Sequence, residues 1–153
     1  MNTELHHLLA HDHWASHRLL DALHSGSNSD AKVHRLMTHI LAAHDHWLAR
    51  VKGSELAISV WDDALDPSSY EGYVDRFYEQ WKQVLSNEDM DRVVTYANLR
   101  GTVFSNTIRE IVLHVAMHGQ YHRGQVVQHA RNGWEIPPST DLIVYFRERS
   151  AVL

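Results

Sequence analysis

The chain has 153 residues, a formal charge of −5, 44% hydrophobic residues and no cysteine. That length fits one domain, 1–153, which can bury a core without disulfides or a structural metal, and the missing cysteines exclude thiolate metal sites and cysteine nucleophiles. The acidic balance argues against nucleic-acid binding, and no apolar run approaches the roughly 20 residues of a membrane span, so a cytoplasmic protein with no membrane association is expected.

The apolar positions Leu5, Leu8, Leu9, Trp14, Leu19, Leu20 and Leu23 predict a first helix over 4–23, broken by the polar run from Ser25 to Asp30. Asp30 is an N-cap for a second helix carrying Val33, Leu36, Met37, Ile40, Leu41, Ala43, Trp47, Leu48 and Val51, with Gly53 as its stop. Residues 54–66 are irregular, with Trp61 expected over the core. Pro67 opens a third helix with Tyr70, Tyr73, Val74, Phe77, Trp81, Val84 and Leu85 on its apolar stripe. Two β-favouring pieces, 93–96 and 101–104, predict a short hairpin turning near Asn98 and Gly101. A fourth long helix is expected from Ser105 or Asn106, with Ile108, Ile111, Val112, Val115, Met117, Val126 and Val127 buried, Gly124 permitting close packing and Gly133 ending it. A short amphipathic stretch, 141–149, follows Pro137 and Pro138. Trp14, Trp47, Phe77 and Trp81 are assigned to the core. Such a pattern gives an all-α fold: a four-helix bundle, with an irregular or hairpin insertion before the last long helix and a short C-terminal helix.

Histidine is the compositional outlier, with 14 copies. In the segment HVAMHGQYHRGQ, His114, His118 and His122 recur one helical turn apart, so neighbouring rings share one face. The outer two lie about 12 Å apart along the axis, so one ion takes an adjacent pair and a third ligand comes from another helix. On the second helix, His39 is the candidate best placed to point inward. His46 is the alternative for the same ion, and His44, about 140° round from His39, is assigned to solvent. The pairs His7 with His11 and His13 with His17 have the same spacing and are read as exposed. No HExxH motif supplies a general base; Asp12, Asp45 and Glu110 are possible acid or base residues that spacing does not place in a site. Arg123 and Gln125 follow the ladder directly, and Gln125 is assigned a structural hydrogen bond.

The segments DHWASHRLLDAL from Asp12, MTHILAAHDHWLARVKG from Met37, HVAMHGQYHRGQV from His114 and PPSTDLIVYFRE from Pro137 resemble the DinB family, in order and over essentially the whole chain. The resemblance implies a divalent metal ion, zinc or nickel foremost, held by His39, His118 and His122. Two departures stand out. Tyr121 replaces a histidine common before the Arg-Gly-Gln, which leaves the triad intact but alters its surroundings. His11 replaces a common tyrosine, which changes the pocket floor or adds a hydrogen-bond partner. In activity, the resemblance implies a metal-dependent enzyme that joins a low-molecular-weight thiol, such as bacillithiol or mycothiol, to an electrophilic small molecule. The alternatives are a metal-dependent hydrolase and a non-enzymatic, damage-inducible metal-binding protein. It also implies a homodimer. No catalytic residue is assigned.

Overall fold

The computed structural model describes residues 2–26, 30–58, 65–98 and 100–150. Trp61, expected over the core, lies outside the described residues. The fold is mostly helical. Among the described residues there are five helices, α1 (Thr3–Ser25), α2 (Ala31–Lys52), α3 (Tyr70–Asn87), α4 (Ile108–Ala130) and α5 (Leu142–Ser150), with a hairpin of β1 (Val93–Ala97) and β2 (Val103–Thr107) between α3 and α4. α1 and α2 each pack against both α3 and α4, and α5 lies on α1.

Local chemistry sets most boundaries. The Asp30 carboxylate accepts from the Lys32 amide at 2.8 Å, satisfying one orphan donor of α2. At its far end Gly53 is left-handed, with φ 65°, and its N–H reaches the Ala49 carbonyl. Pro67 begins a 3-10 turn, Pro67–Ser69, capped by Asp66, and α3 follows directly. The hairpin pairs antiparallel from Val93 opposite Thr107 to Ala97 opposite Val103. Its turn is closed by the Asn98 side chain, which accepts from the amides of Arg100 and Thr102.

The end of the second strand and the start of α4 differ from the sequence expectation for a single reason. The second strand runs on to Thr107, because Ser105 and Asn106 are still paired with β1, so α4 begins at Ile108. A capping box fixes that start: Thr107 Oγ1 accepts from the Glu110 amide and the Glu110 carboxylate accepts from the Thr107 amide.

The core runs through the helices from Leu9, Leu19 and Leu20 to Leu41, Leu48, Phe77, Trp81, Val112 and Val126. Trp14 and Trp47, assigned to the core from sequence, are only half-buried. Met117 is no core residue at all: it is 65% exposed, on the same outer stripe of α4 as Leu113 and Tyr121.

Close packing also sits at a different glycine. Nothing lies within 4 Å of a side chain added at Gly124, whereas a Cβ at Gly119 would collide with the buried Asp12 carboxylate and come 3.1 Å from Arg123 Nη1. Gly119→Ala is therefore expected to cost about 2–3 kcal/mol, the usual scale of overpacking, while Gly124→Ala, in mid-helix, stabilises by up to about 1 kcal/mol. Urea unfolding of the two variants, compared with the parent, measures both signs.

Candidate metal centre

Packing of α2 on α4 brings the two parts of the site together. His118 and His122 stack on one face of α4 with ring centroids 4.4 Å apart. The His39 ring on α2 stands 5.0 Å from His118 and 4.6 Å from His122. One ligand atom from each of the three lies within 4.8 Å of the others, so this group could hold a metal ion. His114 is outside the group: its ring lies 5.4 Å from His118 and 5.4 Å from the Trp47 indole. His46 is outside it as well, and lines the adjoining cavity instead.

The donor set suits a divalent ion. Burial, followed by the neighbouring His122, His39, His114 and His44, pushes His118 down to about 4, and burial with His122 lowers His39. Both imidazoles are thus neutral at pH 7, the form that ligates. The Gln125 side-chain oxygen accepts from His122 Nδ1 at 2.7 Å, which puts the His122 proton on Nδ1 and leaves Nε2 free to bind. Gln125 therefore contacts a candidate ligand. Its own amide donates to the Tyr121 hydroxyl at 3.3 Å, so the residue that departs from the common histidine helps to orient this hydrogen bond.

A proton-linked prediction follows. In the unfolded chain His118 titrates near 6.5, in the folded protein near 4. Between those values the unfolded state binds the proton and the folded state does not, so stability of the ion-free protein falls as pH drops through that window. Thermal unfolding in chelator at pH 7.5 and pH 5 should show a decrease that is smaller in His118→Ala; equal decreases would contradict the assignment.

The face of α2 that carries His39 is the open one. His39 is exposed, although the sequence pattern pointed it inward, and His44, assigned to solvent, is buried. The reason is the rotation of α2: its His44 side faces α1 and α3. There the Trp81 indole donates to His44 Nδ1 at 3.1 Å, and His44 Nε2 meets Asp12 at 3.1 Å. Arg123, fully buried, pairs with Asp12 at 2.8 Å and donates to Ser16 Oγ at 3.0 Å. Asp12 is thus the anionic centre of an interhelical network, and the sequence signal for it was only its polarity between buried Leu9 and Ala15.

The other acidic candidates also have structural partners. Asp45 accepts from the amides of Ala57 and Ile58, and Glu110 completes the α4 cap. His11 donates to the Thr140 carbonyl at 2.8 Å and packs on Tyr145, while His7 meets Phe146, so both face α5. His11 accordingly adds a hydrogen-bond partner and does not form the floor of the cavity beside His39.

That cavity, about 300 Å³, is bordered by His39, His118, His46, Trp47 and Arg50. The Arg50 guanidinium lies over the corner formed by Trp47 and Tyr96, which meet edge-to-face, and is 4.5 Å from the first ring and 4.4 Å from the second. No carboxylate pairs with it among the described residues. Sequence reasoning missed Arg50, though it lies eleven residues after His39, three helical turns along the same face of α2.

The family model of the DinB family matches residues 1–150. The chain belongs to the DinB family. No curated protein matches it in sequence. Among the described residues of this DinB protein, no helix is long and apolar enough to cross a membrane.

Proposed function

We propose that this DinB protein is a metal-dependent enzyme on a four-helix bundle, in which His39, His118 and His122 hold a divalent ion, zinc or nickel, for transfer of a low-molecular-weight thiol to an electrophile. The observation that carries this reading is the opening of two of those imidazoles, His39 and His118, onto a cavity whose wall bears the Arg50 guanidinium. When bound, a divalent ion in such a donor set supplies Lewis acidity that lowers the pKa of a thiol or water beside it.

The remaining roles fall to the chain itself. Three histidines leave coordination positions unfilled, unlike the closed four-ligand set of a structural zinc site. With no cysteine in the chain, the reacting sulfur is brought by the cosubstrate. Arg50, fixed by Trp47 and Tyr96, is placed to bind a carboxylate or other anionic end of that cosubstrate. His46 is kept neutral by burial and by Arg50, so on the cavity wall it is a group able to accept the thiol proton. The exposed apolar stripe of Leu113, Met117 and Tyr121 on α4 supports assembly as a homodimer.

The test is thiol consumption with an alkyl halide by protein purified without a histidine-affinity step. Conjugation is expected from the metal-loaded protein and not from His118→Ala, and Arg50→Met should raise KM for an acidic thiol about tenfold or more relative to a neutral one. Turnover that survives loss of the metal sinks the proposal. Full metal occupancy without thiol transfer or hydrolysis would instead favour a non-enzymatic binding role.

A further inference from the structure

A second set of ligating atoms converges on the opposite helix pair. His13 and His17, one turn apart on α1, both direct Nε2 at the same oxygen of Asp75 on α3, each at 2.7 Å. The His13 and His17 ring centroids are 4.6 Å apart, and one ligand atom from each of the three residues lies within 4.8 Å of the others. We infer that His13, His17 and Asp75 form a second site for a divalent transition-metal ion, separate from the one on α2 and α4.

Three features favour an ion over a chance surface contact. First, Asp75 is a carboxylate with no lysine or arginine partner among the described residues; its ion-pair partners are the two imidazoles. An imidazole with its proton on Nδ1 offers the Nε2 lone pair, so a cation between the three atoms satisfies the carboxylate and both rings together. Second, the donors are already positioned. His13 stacks on Tyr78, with centroids 4.4 Å apart and planes at 22°, which restrains its ring. Packing of α1 on α3 sets the distance to Asp75. Third, the site is open to solvent, which can supply further ligands: the Asp75 side chain is 60% exposed.

Donor type indicates the class of ion, and the spacing is compatible with it. With bonds of roughly 2.1 Å, adjacent donors stand about 3.0 Å apart at right angles and about 3.4 Å apart in a tetrahedron. The observed 2.7 Å contacts need to open by only a few tenths of an ångström for the first arrangement. Two imidazoles and a carboxylate on one face of a six-coordinate ion suit nickel, cobalt or ferrous iron better than a closed tetrahedral zinc site.

Equilibrium dialysis of the whole chain against nickel chloride, with elemental analysis, tests this. Wild-type protein is expected to hold two equivalents and His118→Ala one. Adding His17→Ala to His118→Ala should remove the last equivalent, and adding Asp75→Asn should weaken it about tenfold or more. These substitutions are on partly or fully exposed side chains, and circular dichroism checks that each variant is folded. A His118→Ala protein that binds no nickel, or one whose nickel is unaffected by both further changes, overturns the inference. A wild-type stoichiometry of one that follows His17 and not His118 supports it while removing the proposed centre on α2 and α4.

Discussion

Replacing His118 by alanine is expected to reduce bound metal by one equivalent per chain and to weaken the affected site by more than about 100-fold. Losing a residue that merely orients a ligand costs about 10–100-fold, and losing a ligand costs more. Each of the three rings faces the other two at 4.4 to 5.0 Å, so removing His118 takes away one of three mutually adjacent ligand groups. Gln125→Ala belongs to the orienting class, since it removes the acceptor on His122 Nδ1 and leaves all three imidazoles in place. Elemental analysis after dialysis, on protein that has never met nickel resin, gives the ranking: His118→Ala and His39→Ala each lose one full equivalent, Gln125→Ala only part of one. A His118→Ala protein with undiminished metal would remove the basis for the centre.

Asp12→Asn should be the most destabilising of the conservative polar substitutions. The Arg123 charge is fully buried and Asp12 is its carboxylate partner, so neutralising Asp12 leaves an uncompensated interior cation, a change that costs about 3–5 kcal/mol. For a chain of this size that lowers the thermal midpoint by about 6–20 °C. Asp75→Asn, on an exposed carboxylate and in the absence of metal, should fall within about 0.5 kcal/mol of the parent. The pH dependence has a definite sign. Burial alone would oppose ionisation of Asp12, but Arg123 and then His44 outweigh it and hold the carboxyl well below the usual carboxylate range. Its stabilisation is therefore complete above the unfolded value of about 3.9 and is lost as pH falls below it. Urea midpoints at pH 7 and pH 3 should differ less for Asp12→Asn than for the parent; equal differences would contradict the account.

Local pattern carried much of the molecule. The helices of the α2 and α4 segments are visible as 3.6-residue periodicity, and Asp30 and Gly53 mark the ends of α2 by capping chemistry that needs no tertiary contact. Likewise the four-residue spacing of His118 and His122 guarantees neighbouring rings once α4 forms. For the third member, helix position left His39 and His46 as alternatives, and the family resemblance chose His39.

What periodicity could not give is the rotation of each helix against its neighbours. It says which residues share a face, not which face turns inward. On α2, apolar residues extend round more than one side, and the His39 side was taken for the interior when Thr38, His44 and Asp45 are the buried polar positions. On α4 the same ambiguity assigned Met117 to the core and overlooked Gly119, whose missing side chain admits the Asp12 carboxylate from α1. The sequence alone determined the helices, the caps of α2 and the histidine pair on α4, because those depend on contacts within a few residues. Only the tertiary structure decided that Asp12, His44 and Arg123 share one buried network, that Arg50 borders the cavity beside His39, and that Asp75 meets His13 and His17. Each of those depends on the rotation and separation of packed helices, which burial of the whole core sets and no single segment encodes.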